Sequence, residues 1–152
     1  MLRDDINNAL KDAMKAGDAR RVSTLRLVNS ALKNADIEAR GQGKPPLADE
    51  DLLGLLQKMI KQRHESAELY EKGGRVDLVT QEREEIAIIE KYLPAQLTDQ
   101  ETHDTIAALV KETGATAMKD MGRVMGALKE RYTGKLDFAK ASGAVKRILS
   151  GG

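Results

Sequence analysis

Apolar residues recur at intervals of three and four along most of the chain, and this spacing limits what it can fold into, because it places them on one face of a helix. The clearest stripe has six members: Val22, Leu25, Val28, Leu32, Ala35 and Ala39. Only 3% of the residues are aromatic, whereas β-sheets favour aromatic and β-branched side chains. The sequence therefore predicts an all-α protein.

Glycine and proline interrupt this helical pattern at several places. The segments "AGD" at 16–18, "GQGKPP" at 41–46 and "KGG" at 72–74 separate four apolar stripes, since both residue types end helices. We therefore predict four helices in the first 94 residues, and we expect Asp49 to be the N-cap of the third.

The stretch "YLPAQLTDQE" at residues 92–101 predicts a joint. Pro94 ends the fourth helix, and the spacing of Thr98 and Glu101 is typical of a capping box that starts the next one. Further on, Gly114 suits a helix C-terminus, while Gly134 and Asp137 separate the last two helices. We predict a four-helix N-terminal domain over residues 1–94 and a small three-helix C-terminal domain over residues 95–152.

The sequence contains no arrangement of residues that is typical of a catalytic site or a metal site. The chain has no cysteine, which excludes disulfides, thiolate metal sites and cysteine nucleophiles. His64 and His103 lie on different predicted helices, and neither has the partner at i+4 that a helical zinc site uses. The acidic residues Glu82, Glu84, Glu85 and Glu90 are interpreted as a solvated helix face. The sequence thus predicts no catalytic residue, no metal site and no cofactor.

The hydropathy pattern predicts neither a membrane span nor a signal peptide. No apolar run approaches the roughly 18 residues that cross a bilayer. The first residues, "MLRDDINNAL", are acidic where a signal peptide would be basic and then apolar. We therefore expect a cytoplasmic protein without membrane contact.

Charge is unevenly distributed, although the formal net charge of the whole chain is only +1. Residues 115–152 carry eight Lys and Arg against three acidic residues, a balance of +5, whereas residues 95–114 carry −3. An asymmetry of this kind indicates an anionic partner for the C-terminal segment.

Two glycines interrupt a predicted helix at residues 118–132, although each costs roughly 0.5–1 kcal/mol relative to Ala in a helix interior. Gly122 and Gly126 fall beside the apolar stripe, with Lys129 on one flank and with Lys119 and Arg123 on the other. The stripe itself is predicted to be buried and has six members: Met118, Met121, Val124, Met125, Leu128 and Tyr132.

Two interpretations of the glycine pair remain open at this point. The bare backbone, bordered by cations, suits the approach of a sugar–phosphate backbone. Equally, Gly-x-x-x-Gly lets two protein helices pack closely, for example against the last helix with Val145, Ile148 and Leu149. The candidate nucleic-acid-binding residues are Lys119, Gly122, Arg123, Gly126, Lys129, Arg131, Lys135, Lys146 and Arg147.

Three motifs in the second part resemble the GatB/YqeY family: "YLPAQLTDQE", "MKDMGRVMGALK" and "TGKLDFAKASGAVKRIL". The N-terminal segment "LRDDINNALKDAMKAGDARRVSTLRLVNSALKNADIEARG" is similar to that family as well. The tail also resembles the C-terminal domain of the GatB component of the glutamyl/aspartyl-tRNA amidotransferase, an RNA-contacting appendage. The large catalytic part of GatB has no counterpart here.

The resemblance implies a tRNA- or RNA-binding accessory protein without independent catalysis. Its implied partners are tRNA or another structured RNA, together with an aminoacyl-tRNA synthetase or an amidotransferase component. One alternative is participation, with partner subunits, in carbon–nitrogen ligase chemistry that uses glutamine as amido-N-donor. Another is a helical protein–protein interaction module.

Overall fold

The computed structural model describes residues 1–151, which contain no β-strand. The predicted all-α class is confirmed. The described residues form seven α-helices and one 3₁₀ turn: α1 (Leu2–Ala16), α2 (Ala19–Gly41), α3 (Asp49–Lys72), α4 (Val76–Glu90), α5 (Asp99–Thr113), the turn Met118–Asp120, α6 (Met121–Tyr132) and α7 (Phe138–Leu149).

The chain divides into two compact units, Met1–Pro94 and Ala95–Gly152. Each unit has a hydrophobic core of its own. Helices α1–α4 belong to the first unit, and α5–α7 belong to the second. That each unit folds as an independent domain stays a prediction.

The core of the first unit is made by the apolar faces of α1–α4. Its largest fully buried side chains are Ile6, Leu25, Val28, Leu52, Leu56 and Ile89. The predicted stripe on α2 faces this core, with Leu25, Val28, Leu32 and Ala39 buried. Burial of this apolar surface is the main favourable term that holds the helices together.

The Arg63–Glu85 ion pair of the first unit is largely buried. The Glu85 side chain on α4 is only 8% exposed, and its Oε2 accepts a hydrogen bond from Nε of Arg63 on α3 at 3.0 Å. The prediction that all four acidic residues of this segment form a solvated face is therefore wrong for Glu85. A buried carboxylate needs a partner, and α3 supplies one that lies 22 residues away in the sequence.

The second unit has its core between α5, α6 and α7. The core contains Ile106, Leu109, Val124, Leu128, Leu136 and Val145. At the start of α5, Thr98 Oγ1 accepts from the Glu101 backbone N–H, and Glu101 Oε1 accepts from the Thr98 N–H, both at 3.1 Å. The predicted capping box is thus confirmed, and so is the left-handed Gly114 that ends α5, with φ 69°.

Two helix starts differ from the predictions. Helix α3 begins at Asp49 itself, while the N-cap is Ala48, whose N–H donates to Asp51 Oδ2 at 3.3 Å. Residues 118–120 form a 3₁₀ turn, so α6 begins at Met121, and Met118 is 45% exposed rather than buried.

Candidate binding surface on α6 and α7

Gly122 and Gly126 lie on an exposed face of α6. A Cβ built on either residue would meet no heavy atom within 4 Å, so both positions are open. The interpretation that these glycines pack against α7 is therefore wrong. Helix α6 contacts its neighbours through the other side, where Val124 and Leu128 are fully buried.

Arg123 lies beside the glycines, but its charge is partly offset. Its Nη2 donates to Asp120 Oδ1 at 2.7 Å. The pKa of Asp120 is held below its usual value, chiefly by the Thr116 backbone N–H at 2.9 Å, with further contributions from the Ala117 N–H and from Arg123. The same carboxylate thus fixes the turn before α6 and holds the guanidinium near the start of that helix.

Arg131 is also paired. Its two terminal nitrogens donate to the two carboxylate oxygens of Glu112 on α5, at 2.8 and 2.7 Å. This hydrogen-bonded pair lowers the pKa of Glu112 and raises that of Arg131. Both side chains are about half exposed, so water screens the pair. Its role is to link α6 to α5.

The other predicted cations are distributed over four segments: the 3₁₀ turn, α6, the loop before α7 and α7 itself. Lys119 and Lys129 are exposed beside the glycines, and neither forms an ion pair with any residue in 1–151. Lys146 and Arg147 are exposed on α7. Lys135, in the loop before α7, is half-buried, and its backbone carbonyl accepts from the Leu97 N–H at 2.8 Å. Gly122 and Gly126 form a strip of helix surface without side chains, which we call the strip. The structure therefore places three of the predicted cations, Lys119, Arg123 and Lys129, beside this strip. Arg131 lies at the far end of α6 and is paired.

A groove that the sequence analysis did not identify runs along α7. It has a volume of about 740 Å³, and its lining includes Asp99 and His103 of α5 and Lys140, Gly143 and Arg147 of α7. A signal was present in the sequence: positions 140, 143, 144 and 147 follow helical spacing, with a cation at each end and small residues between them.

Neither a metal site nor a membrane span is found in the described part of the chain. Residues 1–151 contain no group of three or more His, Cys, Asp or Glu residues that could hold a metal ion. No helix among them is long and apolar enough to cross a bilayer.

The chain is similar to several fungal proteins named "Altered inheritance of mitochondria protein 41, mitochondrial". The relative from Lachancea thermotolerans is 40% identical over 89 residues, which are 59% of this chain and 46% of the relative. The one from Vanderwaltozyma polyspora is 34% identical over 119 residues, 74% of this chain and 62% of the relative. The one from Clavispora lusitaniae is 29% identical over 142 residues, 92% of this chain and 78% of the relative. In the first two cases the chain spans about half to three fifths of the relative's length.

These names overturn the predicted function. They refer to the inheritance of mitochondria, and they mention neither tRNA nor amide transfer. The prediction of a tRNA-binding accessory protein related to the amidotransferase component GatB is therefore wrong, as is the carbon–nitrogen ligase alternative. In the structure, two of the predicted phosphate-binding arginines are already paired with carboxylates, which reduces the positive charge that a polyanion would meet.

The predicted cytoplasmic location is overturned by the same comparison, because the relatives are named as mitochondrial proteins. The location was inferred from the composition of the first ten residues and from the lack of long apolar runs. Neither feature identifies the compartment in which the chain resides.

The family itself was recognised correctly from the tail motifs. The sequence model of the family described as "Yqey-like protein" matches residues 3–149. The match includes both units, the glycine pair on α6 and the whole of α7. This chain therefore belongs to the YqeY-like protein family.

Proposed function

We propose that the chain is a non-catalytic binding protein and that α6 receives a helix of a partner protein. The observation that carries this proposal is the open space at Gly122 and Gly126, where an added Cβ would meet nothing within 4 Å. Glycine in an exposed helix costs roughly 0.5–1 kcal/mol relative to Ala. No residue within 1–151 occupies the space that the missing side chains leave open. A helix from another protein would use it, because two backbones approach closely only where side chains are small.

The cations beside the strip define the chemistry of that partner helix. Lys119 and Lys129 are exposed and unpaired within residues 1–151. We expect carboxylates on the partner to meet them at the rim of the contact. Charges at such a rim set orientation and association rate more than affinity. The partner helix would then make most of its contact with α6 where its backbone packs closely over Gly122 and Gly126.

The names of the fungal relatives suggest the process in which such binding is used. We propose that this chain serves a role corresponding to that of the relatives named for altered inheritance of mitochondria, by holding a partner protein of that process. The partners implied by the family resemblance, a synthetase component among them, stay predictions.

We also propose that residues 1–94 and 95–152 are separate domains, of four and three helices. Their separate hydrophobic cores support this division. Limited proteolysis should cut near Pro94, and each fragment should give a dispersed amide spectrum when expressed alone. A single cooperative transition for the whole chain, with both fragments unfolded, would overturn this division.

Site-specific photocrosslinking tests the binding surface. A photoreactive phenylalanine at position 129, in the full-length chain in its own cells, should give a protein adduct that survives ribonuclease. Adding Gly122→Gln and Gly126→Gln should abolish the adduct, because the new side chains fill the strip. The matched control is Gly54→Gln on α3, where an added Cβ also meets nothing, and this variant should keep the adduct. An adduct that ribonuclease removes, or that persists in the double variant, contradicts the proposal.

A complementation experiment tests the process. Lachancea thermotolerans cells that lack their relative should recover normal mitochondrial inheritance when they express this chain behind a mitochondrial targeting segment. The Gly122→Gln, Gly126→Gln variant should fail to restore it, whereas Gly54→Gln should succeed. Equal rescue by the wild-type chain and by both variants would show that mitochondrial inheritance does not depend on the α6 surface.

A further inference from the structure

The groove along α7 lies within the second unit, between the first turns of α5 and the outward side of α7. Its lining includes the apolar residues Leu97, Leu136 and Ala144, and Gly143, which has no side chain. The segment before α5 is held to the α6–α7 loop by the Leu97 N–H, which donates to the Lys135 carbonyl at 2.8 Å. That bond joins the two backbone segments that contribute Leu97 and Leu136 to the lining.

One wall of the groove is cationic. Lys140 and Arg147 are seven residues apart on α7, which is about 10.5 Å along a helix axis, and both line the groove. Neither forms an ion pair with a carboxylate among the described residues. Gly143 lies between them, and a Cβ there would stand 3.6 Å from Arg147 Nη1. The guanidinium therefore lies back over the bare backbone of Gly143, inside the groove.

Acidic groups also line the groove. Asp99 is the first residue of α5. Asp137 precedes α7, and its Oδ1 accepts from the Ala139 N–H at 2.9 Å and from the Lys140 N–H at 3.4 Å. The imidazole ring of His103 also lines the groove, and its Nδ1 lies 3.7 Å from Oδ1 of Asp104. A ligand in the groove would thus meet cations along α7 and carboxylates beside them.

This mixture of charges selects among the possible occupants. A polyanion would be attracted by Lys140 and Arg147 but repelled by Asp99 and Asp137. A helix with an acidic edge towards Lys140 and Arg147 and a basic edge towards Asp99 of α5 matches the charges on both sides, and Gly143 and Ala144 leave room for its backbone. We propose that this groove binds an amphipathic helix of a partner protein, with two carboxylates two turns apart on the edge that faces α7 and basic side chains on the opposite edge. This site does not depend on the α6 surface.

Amide chemical-shift mapping on the full-length chain tests the proposal. The probe is a stapled helical peptide with Glu at two positions seven apart on one edge and Lys on the other, and its control has Glu and Lys exchanged. The first peptide should shift amide resonances of residues 140–147 and 97–103, and it should bind at least about tenfold more tightly than the control, because like charges face each other in the control complex. No shifts at millimolar peptide, or equal shifts with both peptides, would overturn the proposal.

Charge reversal in the protein gives a second test with the same two peptides. The variant Lys140→Glu, Arg147→Glu should abolish the preference, because the groove is then acidic on both sides and each peptide meets like charges along one edge. Lys146→Glu is the matched control, because Lys146 is a neighbouring α7 cation that does not line the groove, and it should leave the preference unchanged. Both variants keep the buried residues of α7, so folding is checked by the unshifted core amides. Tighter binding of inorganic polyphosphate than of the peptide at the same amides would identify a polyanion site instead and overturn the assignment.

Discussion

Arg63 on α3 donates a hydrogen bond from Nε to Glu85 on α4 at 3.0 Å, and the two side chains are only 14% and 8% exposed. Each side chain of this buried pair makes one further hydrogen bond. Arg63 Nη1 donates to the Met59 carbonyl at 3.1 Å, and Gln81 Nε2 donates to Glu85 Oε1 at 3.1 Å. Both charges of this pair therefore have a partner and additional polar contacts, which buried ions require.

Replacing Glu85 with Ala should lower the free energy of unfolding by about 3–5 kcal/mol, since it leaves the Arg63 charge buried without its partner. Replacing both residues, Arg63→Met with Glu85→Leu, should recover most of that loss. Urea denaturation followed by circular dichroism measures both. The control is Glu84→Ala, which removes the more exposed pair with Arg20 and should cost no more than about 1 kcal/mol. Equal losses for Glu85→Ala and Glu84→Ala would contradict the prediction.

Thr24 on α2 is completely buried, and its hydroxyl has no hydrogen-bond partner among the described residues. Valine has nearly the same shape without the polar atom. Thr24→Val should therefore raise the free energy of unfolding by about 1 kcal/mol, because an unsatisfied buried hydroxyl is destabilising. Ser23→Ala is the control: its exposed hydroxyl donates to the Arg20 carbonyl at 3.1 Å, and its loss should change little. A lower denaturation midpoint for Thr24→Val would show that the hydroxyl is satisfied.

Asp36 should titrate below its ordinary range. Its pKa is lowered first by Arg3, whose Nη2 donates to Oδ1 at 2.8 Å, and next by the Leu47 N–H at 3.1 Å. Because the folded pKa is lower than the unfolded one, the carboxylate stabilises the fold above the unfolded pKa. This contribution is lost as the pH falls through the folded pKa. Asp36→Asn should therefore flatten the acid limb of the stability profile.

Carbon-13 titration of the Asp36 carboxyl measures this shift directly. Arg3→Met should return the pKa only partly towards its ordinary value, since the bond from Leu47 remains. A titration at or above the ordinary aspartate range in the wild-type chain would contradict the assignment.

Gly126→Ala should raise the free energy of unfolding by roughly 0.5–1 kcal/mol, because the position is helical and its Cβ meets open space. Gly114→Ala is the opposite case, since Gly114 has φ +69° and a side chain in that conformation costs about 1–2 kcal/mol. Differential scanning calorimetry should show the two melting temperatures moving in opposite directions. A loss of stability in Gly126→Ala would mean that the strip is occupied.

Interactions between close neighbours in the chain were predictable from the sequence. The capping box of Thr98 and Glu101 and the left-handed Gly114 involve groups within a few residues of one another. Asp137 caps α7 through the N–H of Ala139, two residues away. Such interactions depend on residue type and spacing, so the helix ends and the all-α class follow from them. The 3₁₀ turn at Met118 was missed because the spacing of its apolar residues does not distinguish a 3₁₀ turn from the first turn of α6.

The sequence by itself determined where most of the helices lie, which faces are apolar and to which family the chain belongs. Only the tertiary structure decided that Glu85 is buried, that Arg131 is tied to Glu112 and that Gly122 and Gly126 are open. Glu85 and Arg63 are 22 residues apart, and Arg131 and Glu112 are 19 apart. Whether such residues meet depends on how whole helices rotate and dock, which follows from the packing of many side chains at once and not from any local pattern.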